Sequence, residues 1–194
     1  MATKLIVFEG IDNSGKTSIS KGVLQLLQKD FPLDNWVWGK EPDFSTEEAD
    51  RLNDPARKNN EADREILFLE SRLRQLPKYR ESNVVLDRYL WTGIAYSKLF
   101  SPSVFSFVSR LYQNENIFKV PDLTVFVDTP IEVCQSREPS LTMERLFDFR
   151  NAYLDTEHMV KCRNPIIKTS GDKDLEGTIL DTYNRIMEVL KNEH

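Results

Sequence analysis

Gly10-Ile11-Asp12-Asn13-Ser14-Gly15-Lys16-Thr17 directly follows the apolar run Leu5-Ile6-Val7-Phe8 and opens a segment of helical period. It satisfies the pattern G-x-x-x-x-G-K-[ST], a loop whose chemistry is the holding of phosphates. Glycines let the backbone turn so that successive N–H groups converge on phosphate oxygens. The helix start adds a favourable field, Lys16 brings a mobile charge to the β/γ-phosphates, and Thr17 offers a hydroxyl to Mg²⁺. Two of only 7 glycines stand at the two prescribed positions. By average usage the bare pattern arises by chance in roughly one chain in a hundred of this length. The competing reading is a glycine turn in an unrelated α/β fold, and the strand before and helix after weigh against it.

The strand ends narrow the reaction. A GTPase would carry D-x-x-G after a second strand and N-K-x-D to read guanine. Only Asp174-Leu175-Glu176-Gly177 fits the first pattern, at the start of the terminal helix, and the second is absent. A motor or helicase usually ends a strand in Asp-Glu. Here Val84-Val85-Leu86-Asp87-Arg88 and Val125-Phe126-Val127-Asp128-Thr129 lack the Glu. An acid followed by an arginine suits Mg²⁺ at Asp87 and a second, accepting phosphate at Arg88, hence transfer to a substrate rather than to water.

These residues need a frame. With 194 residues, 40% of them hydrophobic, the chain can bury one core without staples, and one domain over residues 1–194 is expected. A formal net charge of −5 excludes a general field for nucleic acid or anionic lipid. The apolar run before Glu9 is too short to span a bilayer and shows no cleavage pattern. Cys134 and Cys162 form no close ligand pair and no disulfide framework. A cytoplasmic protein with no membrane and no nucleic-acid partner is expected.

Short apolar runs alternate with longer segments of helical period, which argues for α/β with a parallel sheet. Strands are expected at Lys4–Glu9, Trp36–Lys40, Asn83–Asp87, Leu123–Asp128 and Pro165–Thr169. Helices are expected at Lys16–Lys29, Ala62–Leu76, Thr92–Phe100, Ser103–Tyr112, Pro130–Gln135, Thr142–Val160 and Leu175–Lys191. In the last, Leu175, Ile179, Tyr183, Ile186 and Leu190 recur at helical spacing and should pack on the sheet. Ser136–Leu141 reads as an exposed loop, and polar Asp43–Asn60 supports at most a short helix. In Ala62–Leu76 the stripe Ile66, Leu69, Leu73 and Leu76 should face the core, with Phe68 and Arg72 together about 90° from its centre. An aromatic and an arginine one turn apart could hold a base and its 5′-phosphate. A peripheral core Phe beside a solvated Arg is the alternative.

Phe8-Glu9-Gly10-Ile11-Asp12-Asn13-Ser14-Gly15-Lys16-Thr17 resembles the opening of thymidylate kinases, which phosphorylate dTMP to dTDP. Asp87-Arg88-Tyr89, followed by Thr92 and Ala95-Tyr96, resembles the Asp-Arg-Tyr motif of that family. Leu67-Phe68-Leu69-Glu70-Ser71-Arg72 is similar to its helix carrying a thymine-stacking Phe and a phosphate-binding Arg. Lys40-Glu41-Pro42 stands where the family usually has Arg-Glu-Pro. The blocks run from Lys4 to about Tyr153.

The resemblance implies a five-stranded parallel sheet flanked by helices, a lid at about residues 136–144, and a homodimer. Val104, Phe105, Phe107, Val108 and Leu111 offer an apolar face for a partner or for the monomer's own core. It implies transfer of the γ-phosphoryl of MgATP to dTMP, in support of dTTP supply. Gly10, Lys16 and the backbone of Asn13, Ser14, Gly15, Thr17 and Ser18 would hold ATP, while Thr17 and Asp87 attend Mg²⁺. Asp12 would accept from the sugar 3′-hydroxyl, Phe68 stack on thymine, and Arg72 and Arg88 grip the monophosphate. Tyr96 would lie under the deoxyribose and crowd a 2′-hydroxyl. No general base is required, because the attacking phosphate oxygen is already ionised. Asn13 occupies a position where some members carry arginine, and the lid holds Arg137 as its one arginine before Arg145. Arg137 is therefore expected to swing in on closure, with Arg145 and Arg150 as weaker candidates. A related nucleotide or deoxynucleoside kinase with another acceptor, or a non-catalytic nucleotide-binding protein, stands as the alternative.

Overall fold

The computed structural model describes residues 3–54 and 60–191. Five strands, β1 Leu5–Glu9, β2 Trp36–Lys40, β3 Asn83–Asp87, β4 Leu123–Val127 and β5 Ile167–Thr169, form one sheet in the order β2-β3-β1-β4-β5. Every pairing is parallel. The eight α-helices among the described residues are α1 Lys16–Asp30, α2 Thr46–Asn53, α3 Glu61–Glu81, α4 Leu90–Phe100, α5 Phe105–Tyr112, α6 Ile131–Arg137, α7 Met143–Thr156 and α8 Leu175–Lys191.

The central strand is buried on both faces, as its unbroken apolar sequence requires. Ile6 and Phe8 pack with Ile19, Val23 and Leu27 of α1 and Ile186 of α8. Leu5 and Val7 point the other way, onto Leu76 and Tyr79 of α3 and Ile94 of α4. A third cluster joins Phe126 to Trp91, Phe149 and Tyr153 beneath α4 and α7. Each fully buried Leu, Ile or Val contributes about 1.5–3 kcal/mol, so two such layers fix the register of the sheet. In that register Phe8 lies opposite Asp87 and Val125. The carboxyl ends of β1, β3 and β4 thus meet where the strand order reverses, the place such sheets keep for ligands.

Strand and helix order follow the sequence expectation, with local departures. The helix expected at Ala62–Leu76 extends to Glu81 and carries Pro77 within it. Its buried face is Leu67, Ser71, Arg72, Leu76 and Tyr79, whereas Ile66 and Leu73 of the expected stripe are 45% and 42% exposed. Periodicity counts Arg as polar, and here an arginine belongs to the interior. The terminal helix packs on α1 through Ile179, Tyr183 and Ile186, but Leu175 is exposed. The expected loop at Ser136–Leu141 begins two residues later, since α6 reaches Arg137. The helix expected to Val160 ends at Thr156 and tightens into a 3-10 turn at Glu157–Met159. The short helix within Asp43–Asn60 is α2, closed by a capping box between Ser45 and Glu48; residues 55–59 lie outside the described residues. Of the possible partner face on α5, Val108 is buried and Phe107 exposed. No helix among the described residues is long and apolar enough to cross a membrane.

Candidate active site

The phosphate loop joins β1 to α1. Gly10 has φ +141°, and a Cβ there would lie 2.5 Å from the carbonyl oxygen of Val127, so only glycine fits. Asn13 and Gly15 also take positive φ, 60° and 96°. Behind the loop, Thr129 donates to the carbonyl of Ser14 (2.7 Å) and accepts from the N–H of Gly171 (2.8 Å). That one hydroxyl binds the loop to the turn after β5. Lys16 Nζ is folded against the carbonyl of Ile11 at 2.5 Å, with Ser14 Oγ at 3.4 Å. Burial, then the neighbouring Arg88 charge, pulls its pKa down to about 7 despite Asp87, Asp12 and Glu9.

Thr17 donates to Asp87 Oδ2 at 2.5 Å, while the buried Oδ1 has no hydrogen-bond partner among the described residues. A hydroxyl and a carboxylate with an idle buried oxygen are a hard-donor pair suited to Mg²⁺, which takes one or two protein ligands and fills its shell with water and phosphate. Arg137 is lodged over the loop. Its guanidinium donates to the carbonyls of Asn13 (2.9 Å) and Gly171 (2.5 Å) from the last position of α6. Arg150 makes a two-nitrogen pair with Asp128 at 2.7 and 2.9 Å, and Arg145 lies by the Phe149 ring. Lys16, Thr17, Asp87, Arg88 and Arg137 line one open cavity of ≈ 470 Å³ with Asp12, Asn13, Gly15 and Ser18.

A second cavity of similar size, ≈ 470 Å³, adjoins it and is more apolar. It contains Asp12, Phe68, Arg72, Arg88 and Tyr96, so every residue expected to face the acceptor is at its wall. Arg88 has φ +71°, a costly conformation for a non-glycine residue, held by its N–H bond to the carbonyl of Phe8 (2.8 Å). Its guanidinium pairs with Asp12 Oδ1, and Tyr96 donates to Asp12 Oδ2 at 3.0 Å. Burial pushes the Asp12 carboxyl up, but Arg88, Lys16 and the Tyr96 hydroxyl outweigh it and hold it below the usual range.

Arg88 is also the head of a directed chain. It donates to Tyr153 Oη (3.2 Å); Tyr153 shares a 2.6 Å bond with Thr92 Oγ1; Thr92 donates to Glu9 Oε2 (2.5 Å). Since the Thr92 proton serves Glu9, the Tyr153 proton serves Thr92, and the Tyr153 oxygen is left to accept from Arg88. Glu9 also accepts the N–H groups of Tyr89 and Thr92. Burial raises its pKa, opposed by those bonds and by the Arg88 charge.

Arg72 is almost wholly buried. Its Nε lies 3.0 Å from Glu41 Oε2, an ion contact without hydrogen-bond alignment, and it donates to Tyr112 Oη at 2.6 Å. Tyr79 donates to Glu41 Oε1 at 2.9 Å, and burial pushes the Glu41 carboxyl up to about 7 against the pull of Arg72. The guanidinium carbon stands 5.9 Å from the Phe68 ring centre. A Cβ at Gly93 would lie 2.6 Å from the Tyr112 ring and 3.0 Å from the Arg72 guanidinium, so Gly93 is the space that Arg72 occupies. Phe44, whose ring meets Phe68 edge-on at 5.2 Å, and Glu65 complete that wall. The sequence patterns did not single out Thr129, Gly171, Tyr153, Phe44 or Glu65. Only Glu9, a charge ending a buried strand, carried a visible signal.

A phosphate loop, a metal-competent Thr–Asp pair and an arginine-walled second cavity define a P-loop phosphotransferase of the nucleoside monophosphate kinase type. The thymidylate kinase family model matches residues 8–189, and the chain belongs to that family. A thymidylate kinase from Ligilactobacillus salivarius is 31% identical over 172 residues, covering 80% of this chain and 75% of the relative. One from Staphylococcus epidermidis is 27% identical and covers 96% and 98%. The crystal structure of thymidylate kinase from Ehrlichia chaffeensis superposes with a TM-score of 0.66 at 21% identity, over 96% of this chain and 99% of that one, and shares the fold. The protein is thus a kinase, with a dTMP kinase role supported by its family and relatives.

Proposed function

We propose that the enzyme transfers the γ-phosphoryl group of MgATP to the 5′-phosphate of dTMP, giving dTDP and ADP. The observation that carries this is the adjacency of two cavities, one walled by the phosphate loop and one by Phe68 and Arg72, with Asp12, Lys40 and Arg88 common to both. ATP lays its phosphates along Gly10–Ser18, where backbone N–H groups and Lys16 meet them. Thr17 and Asp87 would hold Mg²⁺, which neutralises charge on the transferred group when bound. The acceptor stacks its base on Phe68 and presents its phosphate to Arg88. Arg72, beside the Phe68 ring and clamped by Glu41 and Tyr112, lies nearer the base than the shared wall, so its reach serves the base edge as well as the expected phosphate. Asp12 exchanges its bond from Tyr96 for one from the sugar 3′-hydroxyl, and the Tyr96 ring supports the deoxyribose.

The acceptor phosphate oxygen attacks in line with the leaving ADP, and no side chain removes a proton. Catalysis is alignment plus charge neutralisation by Lys16, Arg88 and Arg137. Arg137 leaves the carbonyls of Asn13 and Gly171 for the phosphates as the segment at about residues 136–144 closes. This reading treats residues 1–194 as one kinase domain of the cytoplasm. It also takes the enzyme as a homodimer, supported by the outward Phe107, Ile66 and Leu73. Sedimentation of the wild type and of Phe107→Asp checks that; a monomeric wild type removes it.

The deciding experiment is a rate survey of MgATP with dTMP, dUMP, dCMP, dGMP and thymidine. dTMP is expected to be the preferred acceptor. Preference for the unphosphorylated nucleoside overturns the monophosphate reading, and binding of ATP and dTMP without dTDP formation supports a non-catalytic protein.

A further inference from the structure

Along α3, Glu65, Phe68 and Arg72 recur at i, i+3 and i+7, the spacing that puts three side chains on one helix face. All three line the acceptor cavity. Phe68 offers a ring face, Arg72 N–H donors, and Glu65 a carboxylate, an acceptor with no donor of its own. The carboxylate is held, not loose. Ser101, fully buried, donates to Glu65 Oε1 at 2.6 Å and itself accepts from Arg64 at 2.8 Å. Oε2 has no hydrogen-bond partner among the described residues, the Ser101 bond being to Oε1. Burial raises the Glu65 pKa, opposed by Ser101 and the Arg72 charge, which places the two ionic groups within each other's field.

We propose that Glu65 selects the base: its free carboxylate oxygen accepts the ring N–H of a pyrimidine-2,4-dione stacked on Phe68, while Arg72 donates to the adjacent carbonyl. The proposal rests on the acceptor reading given above. A dione ring shows a carbonyl and an N–H side by side, complementary to a donor and an acceptor in that order. A 4-aminopyrimidine held by the same sugar and phosphate contacts shows an amino group to Arg72 and a bare ring nitrogen to Glu65. Both contacts then face like with like, and a buried site that meets unpaired groups rejects the ligand strongly. The 5-methyl group plays no part in this contact, so dUMP is expected to satisfy it as dTMP does.

Initial rates with dTMP, dUMP and dCMP at saturating MgATP, for the wild type, Glu65→Gln and Glu65→Leu, test this. Glu65→Leu is expected to lower kcat/KM for dTMP by about tenfold to a hundredfold, mainly through KM, and to shrink the dTMP-to-dCMP ratio by a similar factor. Glu65→Gln, close in shape and still able to meet Ser101, is expected to keep more activity and also to lose discrimination. ATP affinity should stay unchanged in both. A wild type that prefers dTMP, with a ratio moved less than about threefold in both variants, overturns the role of Glu65 and leaves the acceptor reading standing. A wild type that phosphorylates no nucleoside monophosphate overturns both. Should Glu65→Leu fail to fold, the near-isosteric Gln variant decides alone.

Discussion

The hydroxyl oxygen of Tyr153 lies 3.2 Å from a terminal nitrogen of Arg88 and 2.6 Å from Thr92 Oγ1, so an α7 side chain aims the arginine at the shared wall of both cavities. Tyr153→Phe removes one acceptor from a buried guanidinium and one donor from Thr92. It is expected to destabilise the fold by about 1–3 kcal/mol and to raise KM for the acceptor about tenfold. Denaturant unfolding and steady-state kinetics measure the two effects. An unchanged acceptor KM would show that Asp12 and the Gly10 carbonyl aim Arg88 without Tyr153.

Arg137 spans the phosphate loop, bonded to the carbonyls of Asn13 and Gly171. Its replacement by Ala should lower kcat at least tenfold with little change in ATP affinity, since charge contacts on the transferred group act in the transition state. Lys should recover part of the loss. A fall below about threefold removes Arg137 from the mechanism.

Burial and the Arg88 charge bring the Lys16 pKa down to about 7. Phosphate oxygens favour the ammonium and raise that value in the complex. ATP affinity should therefore be fully expressed below about pH 7 and weaken as pH rises above it, with proton uptake on binding. Calorimetry at pH 8 in buffers of different ionisation enthalpy reads the uptake directly. Binding without proton exchange there would contradict it.

Gly93→Ala places a methyl group against the Tyr112 ring and the Arg72 guanidinium. The overpacked site should lose about 1–3 kcal/mol of stability and displace Arg72. Acceptor KM is expected to rise while ATP affinity holds, as thermal melts and separate titrations with ATP and dTMP would report.

The phosphate loop was legible because its meaning is local: eight consecutive residues with a strand before and a helix after. The order of strands and helices was legible because burial on both faces leaves uninterrupted apolar runs. What escaped depends on distant partners. Arg72 is singled out by its spacing from Phe68, but its place in the interior is legible only once Glu41, just past the end of β2, stands beside it. The chain from Glu9 through Thr92 to Tyr153 joins positions separated by 83 and 61 residues, beyond any periodic pattern. The stripe through Ile66 and Leu73 failed for the same reason. The helix was oriented by a buried arginine and Leu67, and its apolar residues were left partly outside.

Thr129 ties Ser14 to Gly171, and a Cβ at Gly171 would lie 2.1 Å from the Ser14 carbonyl oxygen. The turn after β5 and the loop after β1 are therefore tied together as one stiff saddle. On the reading proposed above, little entropy would be lost on seating ATP there, because little backbone remains to be ordered. On the same reading, the bending of a catalytic cycle would fall on the five residues between α6 and α7, whose length and composition could set the pace of turnover without loosening the seat itself.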